Sequence, residues 1–368
     1  MADFYRFLII NPGSTSTKIA VFQNEQEVFT ESLTHSPDDI RRFDTIYDQL
    51  DFRYDLIREL LVTKQIELNT FDGVIARGGN MKPVVGGTYE VNQAMLADLK
   101  VGVMGEHASN LGGPLAHAFA VAIGVKAYVV DPVVVDELEP VARFSGTPLI
   151  QRKSKDHPLN QRAVGRMAAQ QAGKRYEEMN YVIAHLGGGI SVGAHRRGRL
   201  IDVNNALNGD GPFSPERTGG LPFGSVIDLC FSGEYSKDEL LKKLIGHGGL
   251  VAYLGTNDGR KIGQMIREGS QQAKLVYQAM GYQIAKEIGA MCVVLKGQVD
   301  GILLTGGLAH DKLLMAWLKE YVNFLAPIQI FPGEEEMKAL ALGVIRVLKG
   351  EEAIQYYPNE SKILEGLS

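Results

Sequence analysis

The sequence contains few cysteines and no long apolar run. Only two of its 368 residues are cysteines, Cys230 and Cys292, and they lie far apart in the chain. They form no CxxC or Cys/His pattern, which argues against structural zinc and predicts two reduced thiols that serve as small core residues. No stretch approaches the roughly 18 apolar residues of a membrane span, and no signal peptide is recognisable. We therefore expect a cytoplasmic protein with no membrane partner.

The sequence also lacks an excess of basic residues. Its 38 Lys and Arg and its 43 Asp and Glu give a formal net charge of −5, so the chain has no general attraction for nucleic acid. Any anion that it binds must be held by a local group of donors. With 45% hydrophobic and 22% charged residues, the composition is that of a globular protein long enough for two domains.

A polar turn separates two apolar runs near the start of the chain, at residues 8–22, as in a β-hairpin. Gly13 lets the backbone approach a ligand, and the hydroxyls of residues 14–17, the backbone N–H groups and Lys18 can donate to an oxyanion. The chain then returns into a strand, which excludes a Walker A loop. The pattern favours a phosphate-binding turn, and an ordinary Ser/Thr-rich hairpin is the alternative.

The same pattern returns near the middle of the chain. Residues 181–194 again form a strand, a Gly-rich turn and a second strand, and Gly187 takes the place of Gly13. Such a repeat indicates a duplication with one phosphate-binding turn in each half. We expect two similar α/β domains, at residues 1–175 and 176–368.

Apolar spacing predicts several helices in the rest of the chain. Residues 38–64 are expected to form a solvated amphipathic helix, and further helices are expected at residues 158–172, 263–274 and 279–295. Residues 83–114 are Gly-rich and are expected to be irregular, as in a loop that forms the wall of a pocket.

Two charged side chains lie at the ends of predicted buried strands. Arg77 follows a short apolar strand and precedes a Gly pair, and Asp131 interrupts the apolar run at residues 126–135. Ligands of open α/β sheets bind beyond the carboxyl ends of the strands, so both residues are candidates for a site. The alternatives are an arginine paired with a nearby carboxylate and an aspartate in a turn before Pro132.

Three further features could contribute to a site. His157 precedes a predicted helix, although a surface histidine is equally compatible with that position. Gly306 and Gly307 end a buried strand, where a backbone can lie against a purine ring. Residues 334–336 are three glutamates at the start of the last helix, and acidic residues in a first turn are common for helix-dipole reasons alone.

Together these segments resemble the acetate and butyrate kinase family of the sugar kinase, Hsp70 and actin superfamily. The matching segments, in order, are NPGSTSTK, ARGG, GEHASNLGG, VDP, HLGGG, PERTGG, TGG and EEEM. The resemblance implies a duplicated ribonuclease-H-like α/β fold, the actin-like ATPase fold, with two similar domains around a nucleotide cleft. It further implies ATP and Mg²⁺ as cofactors, transfer of the γ-phosphoryl group to butyrate or isobutyrate, and a homo-oligomer built on a dimer.

The resemblance also implies roles for individual residues. Arg77 and Arg217 would be the active-site arginines, His157 would contact the phosphoryl group, and Asp131 with Glu335 or Glu336 would place Mg²⁺. The nucleotide would be bound by Asn11, Gly13, Ser14, Ser16, Lys18, His185, Gly187, Gly188, Gly189, Gly306 and Gly307. Acetate kinases have Asn where this chain has Gly188, and this departure favours a butyrate-type substrate.

The implied chemistry fits the residue types. A carboxylic acid is ionised at neutral pH, so the acceptor needs no general base, and the enzyme supplies alignment and charge neutralisation. A sugar or polyol kinase of the same superfamily is an alternative and would use Asp131 as a base. An actin- or Hsp70-like nucleotide switch is a second alternative, although the two halves leave no separate client-binding domain.

Overall fold

The structure is a computed structural model that describes residues 4–207 and 210–358. The chain forms two compact units. Unit 1 combines the residues up to Asp136 with those from Glu335 onward, and unit 2 extends from Glu137 to Glu334.

Unit 1 is built on a six-stranded mixed sheet. Its strands are β1 (Arg6–Pro12), β2 (Ser16–Gln23), β3 (Gln26–Thr34), β4 (Gly73–Ala76), β5 (Thr88–Glu90) and β6 (Lys126–Val130). Their order is β3-β2-β1-β4-β6-β5; β1, β4 and β6 are parallel, and β2, β3 and β5 complete antiparallel pairs. The helices of unit 1 are α1 (Pro37–Ile40), α2 (Leu50–Thr63), α3 (Gln93–Val101), α4 (Gly112–Ile123) and α12 (Glu336–Leu348).

Unit 2 is built on a five-stranded sheet. Its strands are β7 (Asn180–Leu186), β8 (Ile190–Arg196), β9 (Arg199–Val203), β10 (Gly301–Gly306) and β11 (Ile328–Pro332), in the order β11-β10-β7-β8-β9. Its helices are α5 (Pro158–Gln171), α6 (Phe223–Phe231), α7 (Lys237–Leu244), α8 (Gly249–Leu254), α9 (Gly259–Arg267), α10 (Gln271–Val294) and α11 (Lys312–Val322).

The two sheets share one topology, which confirms the expected duplication. In each unit an antiparallel meander, β1-β2-β3 or β7-β8-β9, is continued by two parallel strands beside its first strand. Only β5, at the edge of the first sheet, has no equivalent among the described strands. Helices cover both faces of each sheet, so the central strands are apolar along most of their length.

The units do not follow the boundary expected at residue 175. α5 packs on β7 and β10 and therefore belongs to unit 2, whereas α12 packs on β1 and β6 and belongs to unit 1. Sequence order alone assigns α5 to the first half and α12 to the second half. α12 packs on strands that are distant from it in sequence, which local patterns do not reveal, whereas α5 packs on β7, the next strand along the chain, as well as on β10.

Three expected segments differ in the structure. The helix expected at residues 38–64 is divided into α1 and α2, and the irregular region expected at residues 83–114 contains β5 and α3, whose first turn is capped by Asn92. The helix expected at residues 263–274 ends at Arg267. Gly269 there has a φ of +95°, and the Ser270 side chain accepts from the N–H of Ala273 to begin α10.

The two cysteines are free, and only one is in the core. Cys292 is buried, whereas Cys230 is exposed, which corrects the expectation for that residue. Cys230 lies in α6, a helix in which no residue is buried. Within the described residues, no helix has the length and apolar character required to cross a membrane.

The packing of α12 on β6 can be tested at Gly343. A Cβ at this position would overlap the side chain of Val130, so Gly343→Ala is expected to lower the free energy of unfolding by about 1–3 kcal/mol. Gly289→Ala in α10 is the matched control. Its Cβ meets nothing within 4 Å, and it is expected to raise stability by roughly 0.5–1 kcal/mol. Equal effects of the two changes in urea unfolding would contradict this packing.

Candidate active site

Each unit presents a three-residue turn at the end of its first hairpin. Residues 13–15 join β1 to β2, and residues 187–189 join β7 to β8. Gly13 and Gly187 are both the first residue of their turn, as the sequence repeat predicts. Within the turns, the N–H of Gly13 donates to the Ser16 carbonyl at 2.8 Å, and that of Gly187 donates to the Gly189 carbonyl at 3.2 Å.

Asn11 and Lys18 form a cross-strand pair next to the first turn, so their side chains lie on the same face of the sheet. The Asn11 Nδ2 donates to Glu336 Oε2 of α12 at 3.0 Å. Ser14 and Lys18 are exposed, and Ser16 is half-buried. These predicted phosphate-binding groups therefore remain accessible beside one carboxylate.

Arg77 follows β4 and pairs with that carboxylate, with 3.0 Å between Nη1 and Glu336 Oε1. The alternative that Arg77 has a nearby carboxylate partner is thus correct for this structure, and the partner belongs to the same site. The Arg77 loop is held by the segment that precedes α4. Asn110 Oδ1 accepts from the Asn80 N–H at 2.8 Å, and the Arg77 carbonyl lies against Gly112.

His107, in this adjoining segment, was not identified as a site residue in the sequence. Its Nδ1 lies 2.9 Å from Ser109 Oγ. Burial, and secondarily the positive charge of Arg77, lower the pKa of His107. A neutral imidazole therefore lies within the electrostatic reach of the candidate substrate-binding arginine.

The three consecutive glutamates have different partners. Glu334 Oε1 lies 3.0 Å from His185 Nε2 in unit 2, and Glu335 is exposed, 3.7 Å from Lys338 Nζ. Only Glu336 binds Asn11 and Arg77. Of the two predicted metal ligands in this run, the geometry therefore favours Glu336.

Asp131 is buried, with 3% of its surface exposed, and follows β6 with a φ of +38°. Its Oδ1 accepts from the Gly87 N–H at 2.7 Å, and its own N–H donates to the Gly87 carbonyl at 2.9 Å. These two bonds hold Asp131 to Gly87, the residue that precedes β5, which agrees with the alternative of an aspartate in a turn before Pro132. Across residues 4–207 and 210–358 there is no group of three or more His, Cys, Asp or Glu arranged to hold a metal.

The buried face of the first turn contains a polar group that the sequence analysis did not identify. Arg53 of α2 donates to the Gly13 carbonyl at 2.9 Å and to Thr17 Oγ1 at 3.0 Å. Thr17 Oγ1 also lies 2.8 Å from His35 Nε2. Burial, and then the charge of Arg53, lower the pKa of His35 to about 4, so this imidazole is neutral at physiological pH.

In unit 2, His157 and His185 lie together. Their rings stack with centroids 3.8 Å apart and an interplanar angle of 14°. His185 Nδ1 lies 2.7 Å from Asn160 Oδ1, and His157 Nδ1 lies 2.9 Å from Ser191 Oγ. The structure thus brings the predicted phosphoryl-contacting histidine to the strand that leads into the second turn.

A chain of buried hydrogen bonds continues from Ser191. The Gln161 amide donates to Ser191 Oγ at 2.7 Å, and Gln161 Oε1 lies 2.8 Å from His195 Nε2. His195 Nδ1 lies 2.6 Å from the Tyr176 hydroxyl. Burial, and then nearby arginines, lower the pKa of His195 to about 3. This neutral network fixes the side chains behind His157.

Arg217 lies against the second turn. Its guanidinium occupies the position that a Cβ at Gly189 would take, and Nη1 donates to the Ala206 carbonyl. The loop is also tied to the turn by Ser214 Oγ, which donates to the Gly188 carbonyl at 2.6 Å. Burial lowers the pKa of Arg217, while Glu216 acts in the opposite direction.

The two glycines that end β10 have different environments. Gly306 has a φ of +90°, and its Cα packs on the Leu186 backbone so closely that a Cβ would lie 2.5 Å from the Leu186 carbonyl oxygen. Gly307 is exposed, and a Cβ there would meet nothing within 4 Å. Gly306 thus supports the strand of the second turn, and Gly307 is the one open to a ligand.

Comparisons with known proteins agree with this geometry. The model of the acetokinase family matches residues 149–319. Butyrate kinase 2 of Clostridium acetobutylicum is 54% identical over 353 residues, which cover 96% of this chain and 99% of that protein. A probable butyrate kinase of Clostridium botulinum is 51% identical, with the same coverage. The chain belongs to the acetokinase family.

As a member of the acetokinase family, the protein is a phosphotransferase whose acceptor is a carboxyl group. The crystal structure of Porphyromonas gingivalis acetate kinase has a TM-score of 0.77 at 17% sequence identity and covers 94% of this chain and 100% of that chain. This similarity, with the repeated topology, confirms the expected duplicated ribonuclease-H-like, actin-like ATPase fold.

Proposed function

We propose that the protein catalyses ATP-dependent phosphorylation of butyrate, or of a similar short or branched fatty acid, to give the acyl phosphate and ADP. The observation that carries the proposal is the pair of glycine-led turns in one duplicated scaffold, each with cationic or hydrogen-bonding side chains beside it. The two curated relatives have butyrate kinase names and supply the choice of substrate.

In this proposal the first turn and Arg77 bind anions. The hydroxyls of Ser14 and Ser16 and the Lys18 ammonium donate to phosphoryl oxygens, and Arg77 binds the substrate carboxylate through its planar fork. Val103 and Met104 are 40% and 39% exposed in the segment before His107. They are the apolar side chains that we assign to the acyl chain, and each added methylene is worth only about 0.8 kcal/mol.

The second turn and its neighbours act on the phosphoryl group. We assign the backbone N–H groups of Gly188 and Gly189 to the nucleotide phosphates, since that of Gly187 is bonded within the turn. The exposed backbone at Gly307 is assigned to the adenosine. His157 and Arg217 donate to the equatorial oxygens as charge develops on them during transfer. Because the acceptor carboxylate is already ionised, none of these residues needs to act as a base.

The donor set fits Mg²⁺ that arrives with the nucleotide. Mg²⁺ retains several waters and takes one or two carboxylates plus phosphate oxygens, and Glu336 supplies a carboxylate next to Asn11 at the first turn. We assign this role to Glu336, with Asp131 as its partner. When bound, the ion would neutralise negative charge on the β- and γ-phosphates.

ATP-dependent formation of a hydroxamate tests the reaction itself. Hydroxylamine traps acyl phosphates but not sugar phosphates, so butyrate is expected to yield a hydroxamate that glucose and glycerol do not. Phosphorylation of a polyol without hydroxamate would support the sugar kinase alternative. An ATPase rate that ignores every carboxylate would support the nucleotide-switch alternative.

The metal assignment is tested by a pair of neighbouring variants. Glu336→Gln is expected to raise the Mg²⁺ concentration needed for half-maximal activity by on the order of tenfold, because it removes a carboxylate beside the first turn. Glu335→Gln is the control and is expected to behave like the wild type. Asp131→Asn examines the second ligand. Coincident Mg²⁺ titrations for all four proteins would remove these residues from the metal site.

The two arginines are expected to differ in kinetics. Arg77→Ala should raise the KM for butyrate by about 10- to 100-fold with a smaller effect on kcat, because a charge-assisted bond to the ground-state carboxylate is lost. Arg217→Ala should lower kcat by on the order of 10³-fold, because its bond strengthens in the transition state. Lysine at either site should rescue only in part. Steady-state kinetics with the two effects exchanged would reverse the assignment.

A further inference from the structure

Arg53 is a fully buried arginine whose hydrogen-bond partners are all uncharged. Its exposed fraction is 0%. The guanidinium donates to Gln49 Oε1, to Thr17 Oγ1 and to the carbonyl oxygens of Gly13, Ser14 and Ser16. No carboxylate in the described part of the chain is within ion-pairing distance of it. A buried charge without a counter-charge is costly, so the folded protein holds a positive charge whose anion is not supplied by these residues.

The same hydrogen bonds orient the first turn. Arg53 binds the carbonyls of Gly13 and Ser14 on the buried side. In a planar trans peptide the next N–H points the opposite way, so the N–H groups of Ser14 and Thr15 face away from α2. Neither N–H donates to an acceptor among the described residues. Two adjacent outward N–H groups form a concavity suited to an anion.

The duplication indicates that the charge is not needed for the fold. Thr17 is the second residue of β2 and Ser191 is the second residue of β8, and both side chains are fully buried. Thr17 Oγ1 accepts from the Arg53 guanidinium, whereas Ser191 Oγ accepts from the neutral amide of Gln161. The same hairpin is therefore supported once by a neutral group and once by a cation.

We infer that Arg53 is a positioning residue that turns the N–H groups of the first turn toward the nucleotide, and that the phosphoryl groups of the nucleotide are its counter-ion. The inference rests on the proposed function, since it assigns nucleotide phosphates to this turn. It extends that function by placing part of the binding free energy in a side chain that touches no ligand.

The ionisation of Arg53 and of its neighbour His35 is consistent with a positioning role for Arg53. Burial lowers the pKa of Arg53 only to about 10, so the guanidinium is charged at neutral pH. His35, which shares Thr17 with it, has a pKa of about 4 and is neutral above that range. The buried side of the turn thus carries one net positive charge.

The test compares ligands that differ in phosphate number. Dissociation constants of adenosine, AMP, ADP and ATP are measured by calorimetry for the wild type, Arg53→Gln and Arg58→Gln. Arg58 is on the same helix but is 55% exposed and pairs with Asp55, so it is the charge-matched control. Arg53→Gln is expected to weaken ADP and ATP binding by about tenfold or more and to leave adenosine binding unchanged, and Arg58→Gln is expected to change neither.

Arg53→Lys separates charge from geometry. A buried lysine keeps a charge at low pH and loses it as the pH rises through its depressed pKa, so its ADP affinity is expected to fall between neutral and mildly alkaline pH. The wild type is expected to show no such change below about pH 9, because its guanidinium stays protonated. Equal pH profiles for the two proteins would overturn the charge role.

A measurement on the unmodified protein covers the case in which the variants do not fold. Bound ADP should raise the titration midpoint of the Arg53 guanidinium, followed by NMR of arginine side chains, and an unchanged midpoint would overturn the inference. If wild-type protein bound adenosine and ADP equally, the proposed nucleotide site itself would fail. A normal wild-type preference for ADP that persists unchanged in Arg53→Gln would reject only the role of Arg53.

Discussion

The alternation of side chains along two hairpins is the constraint on which the candidate site depends. In a strand, successive residues point to opposite faces, so the residues that follow the first turn divide between two environments. Lys18 lies on the face of Asn11 and α12, and Thr17 lies on the face of α2. One face can then bind a ligand while the other anchors the turn. A register shift of one residue would exchange these roles, which is why the turn length matters as much as its composition.

Local patterns in the sequence are sufficient to predict the duplication. Gly13 and Gly187 each follow a β-branched apolar run and precede a second one, and the structure places both at the first position of a three-residue turn. Arg77 also lies at the end of a buried strand, as the short apolar run before it predicts. These features are local, and strand and turn propensities therefore capture them.

Long-range contacts were not predictable in the same way. The stacking of His157 on His185 joins residues 28 positions apart in sequence through a helix and a strand, and no periodicity encodes it. Arg53 shares the helical spacing of the buried Ile57 and Leu60, but its charge predicts a solvated position, and its hydrogen bonds to the first turn are not visible in the sequence. The three glutamates at the start of α12 are chemically identical, and only tertiary contacts distinguish Glu336 from Glu335. The boundary at residue 175 differs in part for the same reason, since α12 packs on strands distant in sequence, whereas α5 packs on β7, the next strand along the chain.

The two turns also differ in how the protein stabilises them. The first turn is supported by a buried guanidinium and flanked by an ion pair of Arg77 and Glu336. Behind the second turn, the hydroxyl of Ser191 is held by the neutral amide of Gln161 and by imidazole, and the cation Arg217 lies at the turn itself. A buried permanent charge creates a strong local potential but costs desolvation energy, whereas neutral dipoles cost less and act only at short range. A buried guanidinium supports the first turn and neutral groups support the hydroxyl behind the second. The desolvation cost of a buried charge behind a turn therefore arises once rather than twice. An arginine behind both turns would add a second buried cation that only bound anions could compensate, and the ligand-free protein would be correspondingly less stable.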